Sequence, residues 1–108
     1  TQNMATVKRF EDLEAWKLAR ELVNLIYDLT DKEIFKRDYD LKNQMRSAAV
    51  SIMSNVAEGF ERGSDRDFAR FLFISKASCG EIRSQLYVAL DRKYIAQEEF
   101  NSATEKAV

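Results

Sequence analysis

Arg62, Arg66 and Arg70 recur at every fourth position, and Arg37, Lys42 and Arg46 form a second basic set earlier in the chain. On a helix, residues four apart share a face, and like charges at that spacing cost about 0.2–0.5 kcal/mol per pair. Helix stability therefore does not explain the first set. Its place at the start of a predicted helix suits phosphate recognition, because a helix N-terminus adds partial positive charge of its own. The plainer alternative is a solvated face, since Glu58, Glu61, Asp65 and Asp67 are interleaved with the arginines and can neutralise them.

Other constellations carry less chemistry. The chain has no histidine and one cysteine, Cys79. That removes the commonest general base and leaves too few soft ligands for a zinc site. Glu58 with Glu61, and Glu98 with Glu99, are the close carboxylate pairs. A di-iron bundle also needs a histidine three residues after a glutamate on facing helices. Ser47, Ser51, Ser54 and Asn55 form a hydroxyl-rich arc, but no base accompanies them for nucleophilic catalysis. They read better as close-packing residues. No catalytic residue, metal, cofactor or small-molecule substrate is expected, and the chain reads as non-enzymatic.

The elements that must position these residues are helical. Proline is absent and glycine occurs only at positions 59, 63 and 80, so a turn-rich strand fold is disfavoured. Residues 1–9 read as a polar arm, with Met4 as a native start, followed by one helical domain over 10–108. A first helix is predicted over Phe10–Leu29, with an apolar surface from Leu13 to Tyr27 wider than one neighbour requires. Trp16 is expected in the core. A polar connection follows over Thr30–Asp38, with Asp38 or Asp40 as the next N-cap. The second helix runs Tyr39–Glu58, with Leu41, Met45, Ala48, Ala49, Ile52, Val56 and Phe60 inward, and Gly59 or Gly63 ending it. Ser64 caps a third helix over Asp65–Leu90. Its seam is Phe68, Leu72, Ser75, Cys79, Ile82, Leu86 and Ala89, spaced by threes and fours as in a left-handed bundle. Residues 92–95 connect to a fourth helix from about Ala96, with Phe100, Ala103 and Ala107 on one face. That pattern breaks off at Val108, so a longer natural helix is expected.

The third helix carries a second stripe, Phe73, Ala77, Gly80, Ser84, Tyr87 and Val88, nearly opposite the first. Val50, Met53, Ser54 and Ala57 form another on the second helix. A small four-helix bundle has no central helix to hide such surface, so self-association is expected, and a closed ring would bury the stripes on every subunit. Net charge is −1 over 108 residues, so any nucleic-acid site must be a local patch. No run of eighteen apolar residues occurs, which argues against a membrane-spanning helix. With one cysteine and no leader pattern, a soluble cytoplasmic protein is expected.

The ordered set Phe10-x-x-Leu13-x-x-Trp16, Ile26-Tyr27-x-x-Thr30, Gln44-x-Arg46-x-Ala48-Ala49-x-Ser51-Ile52, Ser54-Asn55-x-Ala57-Glu58-Gly59 and Phe68-x-x-Phe71-Leu72 resembles the bacterial 23S rRNA intervening sequence proteins. Some of these are encoded by insertions inside 23S rRNA genes. The family is similar in fold to the accessory variability determinant of diversity-generating retroelements. The resemblance covers about Phe10 to Ile95, and Ser54-Asn55-x-Ala57-Glu58-Gly59 is its most specific part. It implies an all-α, antiparallel up-down four-helix bundle and a ring-shaped homo-oligomer, a pentamer. It also implies contact with RNA or DNA, or docking to a nucleic-acid enzyme. The family's function is not settled, so no catalytic residues carry over. Two departures stand out: Lys36 follows Phe35 where the family often has proline, and Ser47 replaces a second arginine beside Arg46. Three functional readings remain: a nucleic-acid-binding homo-oligomeric scaffold, a protein-interaction module without nucleic-acid contact, and an enzyme.

Overall fold

A computed structural model describes residues 6–108 of the chain. The expected start at Met4 and most of the arm lie outside the described residues. Among the described residues four α-helices make the fold: α1 (Glu14–Thr30), α2 (Tyr39–Glu61), α3 (Asp65–Asp91) and α4 (Gln97–Lys106). No strand occurs among the described residues.

α1 starts later than its apolar pattern predicts. Phe10–Asp12 is a 3-10 turn, and Leu13 is extended with ψ 131°. The break lets Leu13 bury its side chain and sets Phe10 edge-on to Trp16, with ring centroids 5.3 Å apart. Trp16 is half-buried rather than a core residue, with the Arg20 guanidinium 5.8 Å from its ring centre. The inward stripe of α1 is narrower than predicted: Ala19, Leu22, Ile26, Leu29 and Thr30 are buried, while Ala15, Leu18 and Tyr27 are exposed.

The α1–α2 connection is not a plain polar loop. Glu33–Phe35 is a 3-10 turn that drives Phe35 fully into the core. There its ring lies 5.0 Å from that of Tyr94. The Tyr94 hydroxyl donates to Asp38 Oδ2 at 3.0 Å, and Asp38 Oδ1 accepts the Leu41 N–H at 3.1 Å as the N-cap of α2. One aspartate thus caps a helix and anchors the α3–α4 connection. That connection is turned by Lys93, whose φ of 64° occupies the left-handed position glycine usually takes after a helix. The bend closes with Tyr94 N–H donating to the Ala89 carbonyl at 2.8 Å.

α2 buries its predicted inward face except for Phe60, which is half-buried, and continues three residues further, to Glu61. Gly59 does not end it. The glycine is buried inside the helix, and a Cβ there would lie 2.7 Å from Phe71 Cβ. Gly63, at φ 82°, makes the turn instead. Ser64 then caps α3, its Oγ accepting the Asp67 N–H at 3.1 Å. The buried face of α3 is rotated from the predicted seam. Ser75, Ile82, Leu86 and Ala89 are buried as expected and Phe71, Ser78 and Gln85 join them, but Phe68, Leu72 and Cys79 are only half-buried. Small residues let α2 and α3 approach closely. Ser75 Oγ donates to the Ile52 carbonyl at 3.0 Å, and the hydroxyls of Ser51 and Ser78 lie 3.4 Å apart.

α4 buries Phe100 and Ala103, with Ala107 just beyond it, as the spacing predicts. It starts beside the end of α1, where the Lys32 ammonium pairs with Glu99. It ends where Arg83 Nη1 donates to the Ala107 carbonyl at 2.8 Å.

Candidate functional site

The first arginine set lies at the corner between α2 and α3, but not on one helix. Arg62 is the C-cap residue of α2; Arg66 and Arg70 lie in the first turns of α3. The regular spacing of four therefore does not put all three on one helical face. What gathers two of them is Phe71. Its buried ring has the Arg62 guanidinium 5.0 Å and the Arg70 guanidinium 4.8 Å from its centre. Such cation–π contacts contribute about 0.5–1 kcal/mol each at exposed sites. Phe60 and Phe68 meet edge-to-face at 6.2 Å at the same corner. Arg62 also pairs with Glu58 at 2.9 Å and Arg70 with Asp67 at 3.7 Å. Arg66 is exposed and has no hydrogen bond or ion pair among the described residues.

Local sequence builds this corner. Asn55 Nδ2 donates to the Ser51 carbonyl at 2.8 Å and Ser51 Oγ at 3.0 Å, Glu58 holds Arg62, and Gly59 leaves the space Phe71 and Phe68 occupy. The segment Ser54-Asn55-x-Ala57-Glu58-Gly59 thus shapes the helix–helix corner; Ser54 is exposed and Ala57 half-buried.

The second basic set does not join the first. Lys42 and Arg62 are twenty positions apart along α2, on the order of 30 Å at 1.5 Å per residue. Arg37 is exposed and Lys42 half-buried. Arg46 is tied into the protein. Its Nε donates to Thr30 Oγ1 at 2.8 Å, and its Nη2 donates to Asp31 Oδ1 at 2.9 Å and to the Tyr27 carbonyl at 3.3 Å. The guanidinium stacks over the Tyr27 ring at 4.2 Å. Thr30 Oγ1 in turn donates to the Ile26 carbonyl at 2.7 Å. Arg46 therefore closes the C-terminal end of α1, where orphan carbonyls and the negative end of the helix dipole favour a cation. No pattern in the sequence links Arg46 to Thr30 sixteen positions away; only the α1–α2 packing does.

The small-residue stripe lies open. Phe73 is 73% exposed, Tyr87 57% and Val88 45%. Ala77 and Ser84 are exposed and Gly80 half-buried. On α2, Val50 is exposed, while Met53 packs partly against the core. The two stripes border different elements: Val50 shares a concavity with Tyr27 and Arg46, whereas the Tyr87 ring meets Phe100 of α4 at 4.8 Å. Cys79 is half-buried, and desolvation pushes its thiol above the ordinary range, with Arg83 opposing. Among the described residues, no three Asp, Glu or Cys side chains cluster to hold a metal ion. No helix is long and apolar enough to cross a membrane among them.

No curated protein matches this chain. The family model described as 23S rRNA-intervening sequence protein matches residues 11–108. That span takes in all four helices, the capped α2–α3 corner and the Arg46 tie, so the chain belongs to the 23S rRNA-intervening sequence protein family.

Proposed function

We propose that this chain is a non-enzymatic, cytoplasmic scaffold subunit. In this reading it is an antiparallel up-down four-helix bundle that assembles into a homo-oligomeric ring, a pentamer by its family resemblance. The ring engages RNA, DNA or a nucleoprotein partner through repeated arginine corners.

The observation that carries the assembly is the open face of α3. An aromatic ring as exposed as Phe73, in line with Tyr87 and Val88, is surface that soluble monomers seldom leave in water. A cyclic ring needs two different complementary patches on each subunit. The α2 stripe beside Tyr27 and the α3 stripe beside Phe100 border different elements and are the candidates for such a pair. Sedimentation is expected to give a multiple of the subunit mass. Phe73→Glu with Val88→Glu is expected to reduce it to the single chain without loss of helix content. A wild-type protein that sediments as one folded chain at high concentration rejects the ring.

The nucleic-acid reading rests on Arg66, an exposed guanidinium without a partner among the described residues, which lies in sequence between two others held over Phe71. A ring multiplies the corner, and phosphate contacts act together. Binding to a structured RNA hairpin should weaken with salt, by a log–log slope of roughly 0.7–0.9 per phosphate neutralised. Replacing Arg62, Arg66 and Arg70 with alanine should flatten that slope. Undiminished binding removes the corner from consideration. Recovery of one stoichiometric protein after nuclease treatment favours a protein-interaction module instead.

A further inference from the structure

At the end of the bundle where α1 gives way to α2 and α3 to α4, the two connections are fastened to each other. Phe35 of the first lies against Tyr94 of the second with ring centroids 5.0 Å apart, and the Tyr94 hydroxyl donates to Asp38 at 3.0 Å. This fastening brings together cations from segments 56 positions apart. Arg37 precedes Asp38 and Lys93 precedes Tyr94, so each is one residue from a partner in that hydrogen bond. Arg92 is the C-cap residue of α3, and Lys42 lies about a turn into α2. Other cations of this end are taken up locally: Lys32 pairs with Glu99, Lys36 with Glu33 and Arg46 with Asp31. Arg37, Arg92 and Lys93 are exposed and Lys42 half-buried, and none of the four has a side-chain ion pair or hydrogen bond among the described residues. The exposed carboxylates within two residues of them are Asp40 and Asp91, so positive charge prevails.

Tyr39 stands among these charges. It is 69% exposed and has no hydrogen-bond or ring partner among the described residues. Tyr27, by contrast, lies under Arg46, and Tyr87 meets Phe100. Tyr39 is the first residue of α2, held by the Asp38 cap, and three positions before Lys42 it shares that helix surface with the ammonium. A bare aromatic face among cations matches the two chemistries of a single strand of nucleic acid, a base that stacks and phosphates that pair. An anionic membrane suits it less. The other exposed apolar side chain of the connection is Ile34, at 48%. A charged plane would meet Asp40 and Asp91 together with the cations, whereas a strand can pass over the cations alone.

We infer that this end of the bundle binds a single-stranded segment of nucleic acid, with one base stacked on Tyr39 and the neighbouring phosphates on Arg37, Lys42, Arg92 and Lys93. The site lies at the opposite end of α2 from Arg62, Arg66 and Arg70. It extends the nucleic-acid reading to unpaired strands and rests neither on that corner nor on the assembly.

The test is fluorescence anisotropy with a labelled twelve-residue oligothymidylate, set against a strand of the same length whose residues are abasic. The oligothymidylate should bind at least about fivefold more tightly, the effect of one base–aromatic stack. Tyr39→Ala should remove that advantage, leave the abasic strand's affinity unchanged and keep the circular dichroism of the wild type. Tyr39→Phe should bind as the wild type does. Arg37→Ala with Lys93→Gly, a glycine that keeps the left-handed turn, should lower the log–log salt slope by roughly 0.7 per cation removed. Alanine at Arg62, Arg66 and Arg70 together should leave oligothymidylate binding within twofold, so that failure here and failure of the arginine corner are read apart. Equal binding of the two strands, or indifference to Tyr39→Ala, overturns the inference. So does loss of oligothymidylate binding in the corner variant alone, or Tyr39-dependent binding to phosphatidylserine vesicles without binding of the oligothymidylate.

Discussion

The two ends of the bundle use arginine in opposite ways. At one end, the α1–α2 and α3–α4 connections are knotted together: Arg46 closes α1 through Thr30, Tyr27 and Asp31, Asp38 caps α2 and holds Tyr94, and Lys32 holds Glu99. At the other end, the α2–α3 corner holds Arg62 and Arg70 against Phe71 by one face and leaves Arg66 open. Arg46 is structural because the end of a neighbouring helix supplies Thr30, Tyr27 and Asp31 as partners, whereas Arg62 and Arg70 pair with Glu58 and Asp67 three or four positions away. Charge spacing in a sequence does not distinguish the two cases, because the deciding partners come from other helices.

The largest expected effect is at the tied end. Arg46→Ala should cost about 2–3 kcal/mol in urea denaturation, because charge-assisted bonds are lost and Thr30 Oγ1 stays buried. Arg46→Lys should recover little of this, since an ammonium cannot reproduce the planar fork and stack. A loss below about 0.5 kcal/mol would make Arg46 equivalent to the displayed arginines and erase the contrast. At the corner, Gly59→Ala should cost up to about 2 kcal/mol. Overpacking against Phe71 costs about 1–3 kcal/mol, offset by about 1 kcal/mol of helix propensity. It should also disturb Arg62 and Arg70 through the displaced ring, which RNA binding would report.

The tied end should also be acid-sensitive. The Ala96 N–H, and then the Lys32 side chain, hold the Glu99 carboxyl below its ordinary value of about 4.5. A depressed folded-state value means that this stabilisation is fully present above the ordinary value and is lost as pH falls below it through the depressed one. Glu99→Gln should therefore flatten the stability profile between about pH 5 and 3 without changing it at pH 7 to 8 beyond a constant offset. Unfolding midpoints across that range check the sign. The smallest effect is expected at Arg66: Arg66→Ala should change stability by no more than about 0.5 kcal/mol, the ordinary range for a free surface residue. A larger loss would show that Arg66, too, is structural.

Much of the fold is legible from spacing. The all-helical class, the inward face of α2, the Asp38 and Ser64 caps and the Phe100–Ala103–Ala107 face follow from local rules about helix periodicity and orphan N–H groups. The misreadings share a cause. Phe35 sits among charges, so its local pattern is polar, yet the connection folds back and buries it against Tyr94. Gly59 looks like a helix end, but it is the space for Phe71. Leu18 and Cys79 look like core, yet Leu18 is exposed and Cys79 half-buried.

Sequence by itself determined that the chain is helical, the Ser64 cap that starts α3 and most of the inward faces of α2 and α4, because those outcomes depend on residues within about one turn of each other. Only the tertiary structure decided which arginine is locked and which is displayed, and which apolar positions meet a neighbour. Those outcomes depend on side chains from helices distant in sequence arriving within a few ångströms, and no local pattern encodes that arrival.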